Sequence, residues 1–151
     1  MKKYLVLTLL TLSFAPALAA EDKKVDPSIG TWKLNVAKSK FNPGPPPTSM
    51  IVTIADDGKV TVAEVSATGE SINYSFKPSP GTAVPIDGME NATLSETKID
   101  DRHVDHTWKF GESTMTGKAA IAKNGKTMTY RTEGSNPKGK PVHNVELFEK
   151  Q

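Results

Sequence analysis

The chain has 151 residues, 19 Lys and Arg against 17 Asp and Glu, and no cysteine. The missing cysteines rule out a disulfide framework, a thiolate metal site and a cysteine nucleophile, so packing alone must hold the fold together. The length suits one domain, and the near balance of charge withholds the basic excess on which nucleic-acid or anionic-membrane binding rests.

Met1, Lys2 and Lys3 form a short basic head, Tyr4 to Phe14 an apolar run broken only by Thr and Ser, and residues 15–20 a small-residue segment. That order is the pattern of a secretory signal peptide. Ala17 and Ala19 satisfy the small-x-small rule, which places cleavage near Ala19 and makes 1–19 the signal peptide. The apolar run falls short of the roughly 20 residues that span a bilayer. The mature protein is therefore expected to be periplasmic or secreted, without a transmembrane anchor. Loss of Lys2 and Lys3 takes the 19 basic residues to 17, equal to the acidic count. Residues 20–28, polar and charged, read as a flexible leader, and 29–151 as a single domain.

From Ile29 onward the dominant signal is alternation of apolar and polar residues in short runs separated by turn residues. The first run, 29–36, alternates Trp32, Leu34 and Val36 against Thr31, Lys33 and Asn35. A single helical turn over 37–41 and an extended, rigid Pro-rich loop at 42–47 follow. Runs at 49–55 and 59–67 flank Asp56-Asp57-Gly58, a tight hairpin signal. Next comes 70–77, with Ile72, Tyr74 and Phe76 on one face. Residues 78–88 hold three Pro and two Gly, which leaves room for one short edge-like strand at 82–86. Strands are expected again at 91–99, 102–110 and 113–122. Asn124-Gly125 then supplies the positive φ angles of a two-residue hairpin before 127–133. Residues 142–150 complete the set.

Hairpin-length links force neighbouring strands to run antiparallel. A meander of nine to ten such strands has two exposed edges unless it closes on itself. The expected fold is therefore all-β, a closed or nearly closed antiparallel up-and-down barrel. A β-sandwich is the alternative, with only the two Pro/Gly-rich loops long enough to cross between sheets.

Gly30-Thr31-Trp32-Lys33-Leu34 resembles the opening of the calycin superfamily, which comprises the lipocalins and the intracellular fatty-acid-binding proteins. In that superfamily a Gly-x-Trp at the start of the first strand plugs one barrel end, and the resemblance implies the same role for Trp32. The fuller string at 30–45 (GTWKLNVAKSKFNPGP), together with the ending Gly139-Lys140-Pro141-Val142 and Phe148-Glu149-Lys150, also resembles a group of exported bacterial proteins of uncharacterised function. The chain departs from the family in two places. Residues 37–47 have room for one turn where fatty-acid-binding proteins have a helix-turn-helix lid. Their late Arg and Tyr that bind carboxylate are matched only loosely by Tyr130-Arg131, and Arg131 is also the one late Arg that could pack on the tryptophan as in lipocalins. Ligand chemistry therefore does not carry over.

Parity with Trp32 turns Met50, Val52, Ile54, Ile72, Tyr74, Phe76, Val104, His106, Trp108, Phe110, Met115, Met128 and Tyr130 inward. Trp32, Ile72, Tyr74, Phe76, His106, Trp108, Met128 and Tyr130 are the candidate ligand-binding residues. Apolar residues must be buried with or without a ligand, so a filled or nearly filled interior is expected. A pocket for an apolar or aromatic molecule is the alternative packing. Two functions correspond to these packings. One is an exported lipocalin-like protein binding a small hydrophobic molecule in the barrel. The other is a filled barrel acting through its surface as a cell-envelope interaction or stress protein.

Residues 102–106 place His103 and Asp105 on one strand face and His106 on the other, and two ligands do not make a tight metal site. His106 is the one inward candidate for a haem ligand. No metal and no cofactor is expected. No Gly-x-Ser-x-Gly elbow occurs, the glycines sit in hairpins rather than before a helix, and Glu64, Glu70, Glu96 and Asp105 fall on different strands. No catalytic residue is assigned and an enzyme is not expected. The geometry that would argue for one is His106 within hydrogen-bond reach of a carboxylate in a cleft.

Overall fold

The computed structural model describes residues 25–136 and 138–151. The expected signal peptide and the first part of the leader lie outside the described residues. Ten strands follow in chain order: β1 (Gly30–Leu34), β2 (Ser49–Ile54), β3 (Val60–Val65), β4 (Ser71–Phe76), β5 (Val84–Pro85), β6 (Ala92–Lys98), β7 (His103–Phe110), β8 (Ser113–Ile121), β9 (Thr127–Ser135) and β10 (Pro141–Lys150). They form one antiparallel sheet in the order β4-β3-β2-β1-β10-β9-β8-β7-β6-β5. Each hairpin neighbour in sequence is a neighbour in space, as short links require. No helix among the described residues is long and apolar enough to cross a membrane.

The first and last strands pair antiparallel with Trp32 opposite Lys150 and Leu34 opposite Phe148. The sheet's two edges, β4 and β5, then face each other. They meet just after β5, where Ser75 and Asp87 exchange both backbone hydrogen bonds, at 2.9 and 2.8 Å. Gly88 makes this approach possible: its φ is +91°, and a Cβ there would run into the Asn73 carbonyl of β4. The result is a nearly closed up-and-down barrel with little free edge, as the meander pattern implies.

The turns follow from their residues. Gly125, with φ at +66°, closes the β8–β9 hairpin, and Gly125 N–H donates to the Ala122 carbonyl at 2.9 Å. Asp57 Oδ1 accepts from Lys59 N–H at 3.0 Å in the β2–β3 turn. The helical turn expected at 37–41 lies slightly earlier, as a 3-10 turn at Val36–Lys38. It starts there because Asn35 Oδ1 accepts from the Lys38 N–H, which fixes the turn's N-terminus. The Pro-rich loop bends rather than running straight, with cis bonds at Asn42–Pro43 and Gly44–Pro45.

Two apolar clusters hold the barrel. One comprises Trp32, Leu34, Ile121, Met128 and Phe148. The other comprises Val60, Val62, Phe76, Ile86, Ala92, Leu94 and Trp108. Met50, Val52 and Ile54 of β2 pack against both. Trp32 is fully buried; its Nε1–H donates to the Ser28 carbonyl at 2.8 Å. Lys150 Nζ sits 5.0 Å from the centre of the Trp32 ring and donates to the Pro27 carbonyl at 2.9 Å. The cation over the indole is therefore Lys150, brought there by the β1–β10 register. Arg131, the late arginine singled out in the sequence, is exposed on the outer face.

The end of the expected leader is tied down as well. Asp26 Oδ1 accepts from both the N–H and the hydroxyl of Ser28, at 2.9 and 2.6 Å. Asp26 Oδ2 accepts from Lys98 of the β6–β7 hairpin at 2.7 Å. Residues 26–28 thus belong to the barrel, because the Trp32 and Lys150 donors need their carbonyls.

Candidate functional site

The barrel is hollow. A cavity of about 1170 Å³ runs through it, above the roughly 300–1,000 Å³ usual for small-molecule pockets. The filled interior expected from the sequence is thereby corrected. The reason is geometric: about eight strands make a barrel that side chains can just fill, and the diameter grows with strand number. Ten strands hold facing side chains apart.

Every residue assigned inward by parity lines the cavity, from Met50, Val52 and Ile54 through Ile72, Tyr74 and Phe76, then Val104, His106, Trp108, Phe110 and Met115, to Met128 and Tyr130. Trp32 is the exception among the candidate ligand-binding residues. It is sealed within the end cluster and does not reach the cavity. Trp108 anchors an aromatic wall. Phe76 and Tyr74 meet it edge-on at 5.6 and 6.2 Å, and Phe110, two residues along the same strand, stacks parallel at 6.2 Å.

Set into this wall is a chain of hydrogen bonds. Trp108 Nε1–H donates to the Tyr130 hydroxyl oxygen at 2.8 Å. The Tyr130 hydroxyl lies 3.1 Å from His106 Nδ1, and His106 Nε2 lies 3.0 Å from Glu96 Oε2. An indole N–H can only donate. The Tyr130 oxygen retains acceptor capacity, so either its own proton or a His106 Nδ1–H bridges the 3.1 Å contact, while Nε2 faces the Glu96 carboxylate. Burial pushes the Tyr130 pKa well above the ordinary value, and the charges of Glu146, Tyr74 and Glu96 add to it against the opposing Trp108 bond. The hydroxyl therefore keeps its proton. The chain depends on Gly117: a Cβ there would occupy the position of the Tyr130 hydroxyl.

This is the His–carboxylate approach that would argue for an enzyme, and it lies inside the cavity. Both imidazole nitrogens are engaged within the protein, one by Tyr130 and one by Glu96. His103 points elsewhere and contacts Asp100 through Nδ1, at 2.9 and 2.8 Å. Among the described residues no group of three or more His, Cys, Asp or Glu side chains is placed to hold a metal ion.

Two further carboxyls face the lumen. Glu146 of β10 is 7% exposed and Glu64 of β3 is half-buried; both line the cavity. The Glu146 pKa is raised from 4.5 to about 7, by burial first and by the Glu64 charge second, against a hydrogen bond from the Asn144 side chain that lowers it. Burial raises the Glu64 pKa too. Tyr74 is pushed up by burial and by both of these carboxyls. The basic side chains on the lining, Lys98 and Arg102, both belong to the β6–β7 hairpin at the barrel end.

Sequence reasoning missed Glu64, Glu96 and Glu146 as interior groups. The signal was present in the alternation. Val60, Val62 and Glu64 share parity, as do Ala92, Leu94 and Glu96, and Val142, Asn144, Glu146 and Phe148. Parity extended through the charged residues would have placed all three inside.

No protein-family model and no curated protein matches the chain by sequence. Solved structures do match by shape. Fatty-acid-binding protein 1 of Echinococcus granulosus superposes with a TM-score of 0.55 at 14% identity, covering 83% of this chain and 98% of that one. The Schistosoma mansoni fatty-acid-binding protein in complex with arachidonic acid gives 0.55 at 16% identity, covering 83% and 96%. The fluorescent protein UnaG gives 0.52 at 15% identity, covering 82% and 96%. At these identities the likeness is one of architecture: a ten-stranded, nearly closed antiparallel barrel that matches the fold of the fatty-acid-binding proteins.

Proposed function

We propose that this protein is an exported, lipocalin-like binding protein that encloses a small hydrophobic molecule in its barrel. The observation that carries the reading is the cavity of about 1170 Å³, walled by apolar and aromatic side chains and holding a few buried polar groups. An apolar chamber of this size leaves lining surface that a ligand would bury, at roughly 25 cal/mol per Å² of apolar surface. The neighbours in shape support it, since one of them is a fatty-acid-binding protein with arachidonic acid bound.

Periplasmic or secreted location is part of the proposal. It is supported by the signal-peptide pattern of residues 1–19. Cell fractionation with N-terminal sequencing tests it; a mature chain starting at or beside Ala20 is expected, and an uncleaved cytoplasmic chain would contradict it. Titration with the neutral fluorescent probe N-phenyl-1-naphthylamine tests the binding. Saturable uptake of one probe per barrel is expected, and no saturable uptake would refute it.

A further inference from the structure

We infer that the barrel selects hydrophobic molecules whose polar end is a positively charged hydrogen-bond donor, an alkylammonium-like head, over carboxylates. This rests on the ligand-binding reading above and names the chemistry of the ligand.

The inference comes from counting which protons and lone pairs face the lumen. The Trp108 N–H is spent on Tyr130, both His106 nitrogens are engaged by Tyr130 and Glu96, and the chain ends on an acceptor, the Glu96 carboxylate. A hydrogen bond from the Asn144 side chain reaches Glu146. The Tyr74 and Thr132 hydroxyls that also line the cavity can accept as readily as donate. Where the carboxyls are ionised, an incoming carboxylate would meet three of them in the interior, Glu64, Glu96 and Glu146.

Charge points the same way. Glu64 and Glu146 lie close enough to act on each other and on Tyr74, and Glu146 is 7% exposed. Neither forms an ion pair with a cation among the described residues. A buried carboxylate without a cation beside it is costly, and a cationic donor supplied by the ligand would relieve both at once. The basic side chains on the lining, Lys98 and Arg102, come from one hairpin rather than from the strands that carry Glu146 and Glu64. Lys98 stands at the barrel end and is held by Asp26 at 2.7 Å, and Arg102 lies in the same hairpin. Arg131, where the family pattern would look for a carboxylate ligand, is exposed outside. The large apolar chamber makes this more than an acidic cluster, because it accepts the alkyl part and places the head against Glu146 and Glu64.

Decylammonium, decanoate and decanol, each below its micellar concentration, are to be compared by displacement of N-phenyl-1-naphthylamine at about pH 8, where ordinary carboxyls are ionised. The amine is expected to bind at least about tenfold more tightly than decanoate, with decanol between them. In Glu146→Gln and in Glu64→Gln the amine-to-carboxylate ratio should fall by about tenfold. Two variants are used so that a folding failure in one leaves the other, with melting curves as the control. Decanoate binding as tightly as the amine, or a ratio unchanged in both variants, would overturn the inference while leaving the cavity a binding site. Displacement by none of the three would also overturn the inference, whereas no saturable uptake of the probe itself would overturn the ligand-binding reading with it.

Discussion

Replacing Glu146 by glutamine should remove a specific pH dependence of stability. Glu146 is 7% exposed, and burial, assisted by Glu64 and opposed by Asn144, raises its pKa from 4.5 to about 7 in the folded protein. In the unfolded chain the carboxyl returns to the ordinary value, so the folded state holds the proton more tightly. Below pH 4.5 both states are protonated and the group does not distinguish them. As the pH rises, the unfolded chain ionises first and stability falls; once pH passes about 7 the loss levels off. At about 1.4 kcal/mol for each tenfold change in proton affinity, the full loss is ~3 kcal/mol. Glutamine keeps the shape and an oxygen for Asn144 but does not titrate. Urea titrations of ligand-free protein across this window should show the wild type losing ~3 kcal/mol relative to the variant between about pH 4.5 and 8. Parallel curves, or a wild type that gains on the variant as pH rises, would refute a buried, cation-free Glu146.

Trp32→Ala should cost about 3–5 kcal/mol in urea unfolding, the usual range for emptying a buried aromatic site. A loss of probe binding with unchanged melting would instead place Trp32 against the ligand. Gly117→Ala puts a methyl where the Tyr130 hydroxyl lies; destabilisation by about 1–3 kcal/mol is expected from overpacking. Trp108 loses its partner in that variant, so a tryptophan emission spectrum identical to wild type would contradict the hydrogen-bond chain. Asp26 has its pKa pushed up by burial and held down more strongly by Lys98 and Ser28, ending at about 2 against 3.8. Its contribution is therefore fully present above pH 3.8 and is lost as pH falls through about 2. The stability gap between wild type and Asp26→Asn should close over that window in acid titrations, and a gap that stays constant would show that the residue does not hold the leader.

The strands were legible because turn chemistry punctuates the chain. Asp56-Asp57-Gly58, Thr68-Gly69 and Asn124-Gly125 each end a run of alternation, and strands begin within a few residues of each. Interior parity was legible for the same reason, down to Tyr74, His106 and Trp108. What failed to show falls under three causes. A hollow interior is a property of strand number and closure, not of any residue, and side-chain identities alone do not reveal it. Inward carboxyls were hidden by the assumption that a glutamate in an alternating run faces water, which Glu146 contradicts. Contacts between the chain's ends needed the β1–β10 register: Lys150 over Trp32, and residues 26–28 beneath it, join positions far apart in sequence. Ile86 illustrates a related limit. It is buried at 3% exposure although it lies outside any strand, just after the two-residue β5, because the Ser75–Asp87 bridge draws that segment onto β4.

Native mass spectrometry of the protein purified from its own host, without denaturation, tests the occupied barrel most directly. A population carrying one extra mass of a few hundred daltons, released on unfolding and retained less well by a variant that alters the cavity wall, is the predicted result. A single bare mass from freshly isolated protein, with no saturable uptake of a neutral apolar probe, would contradict a chamber built to hold a ligand.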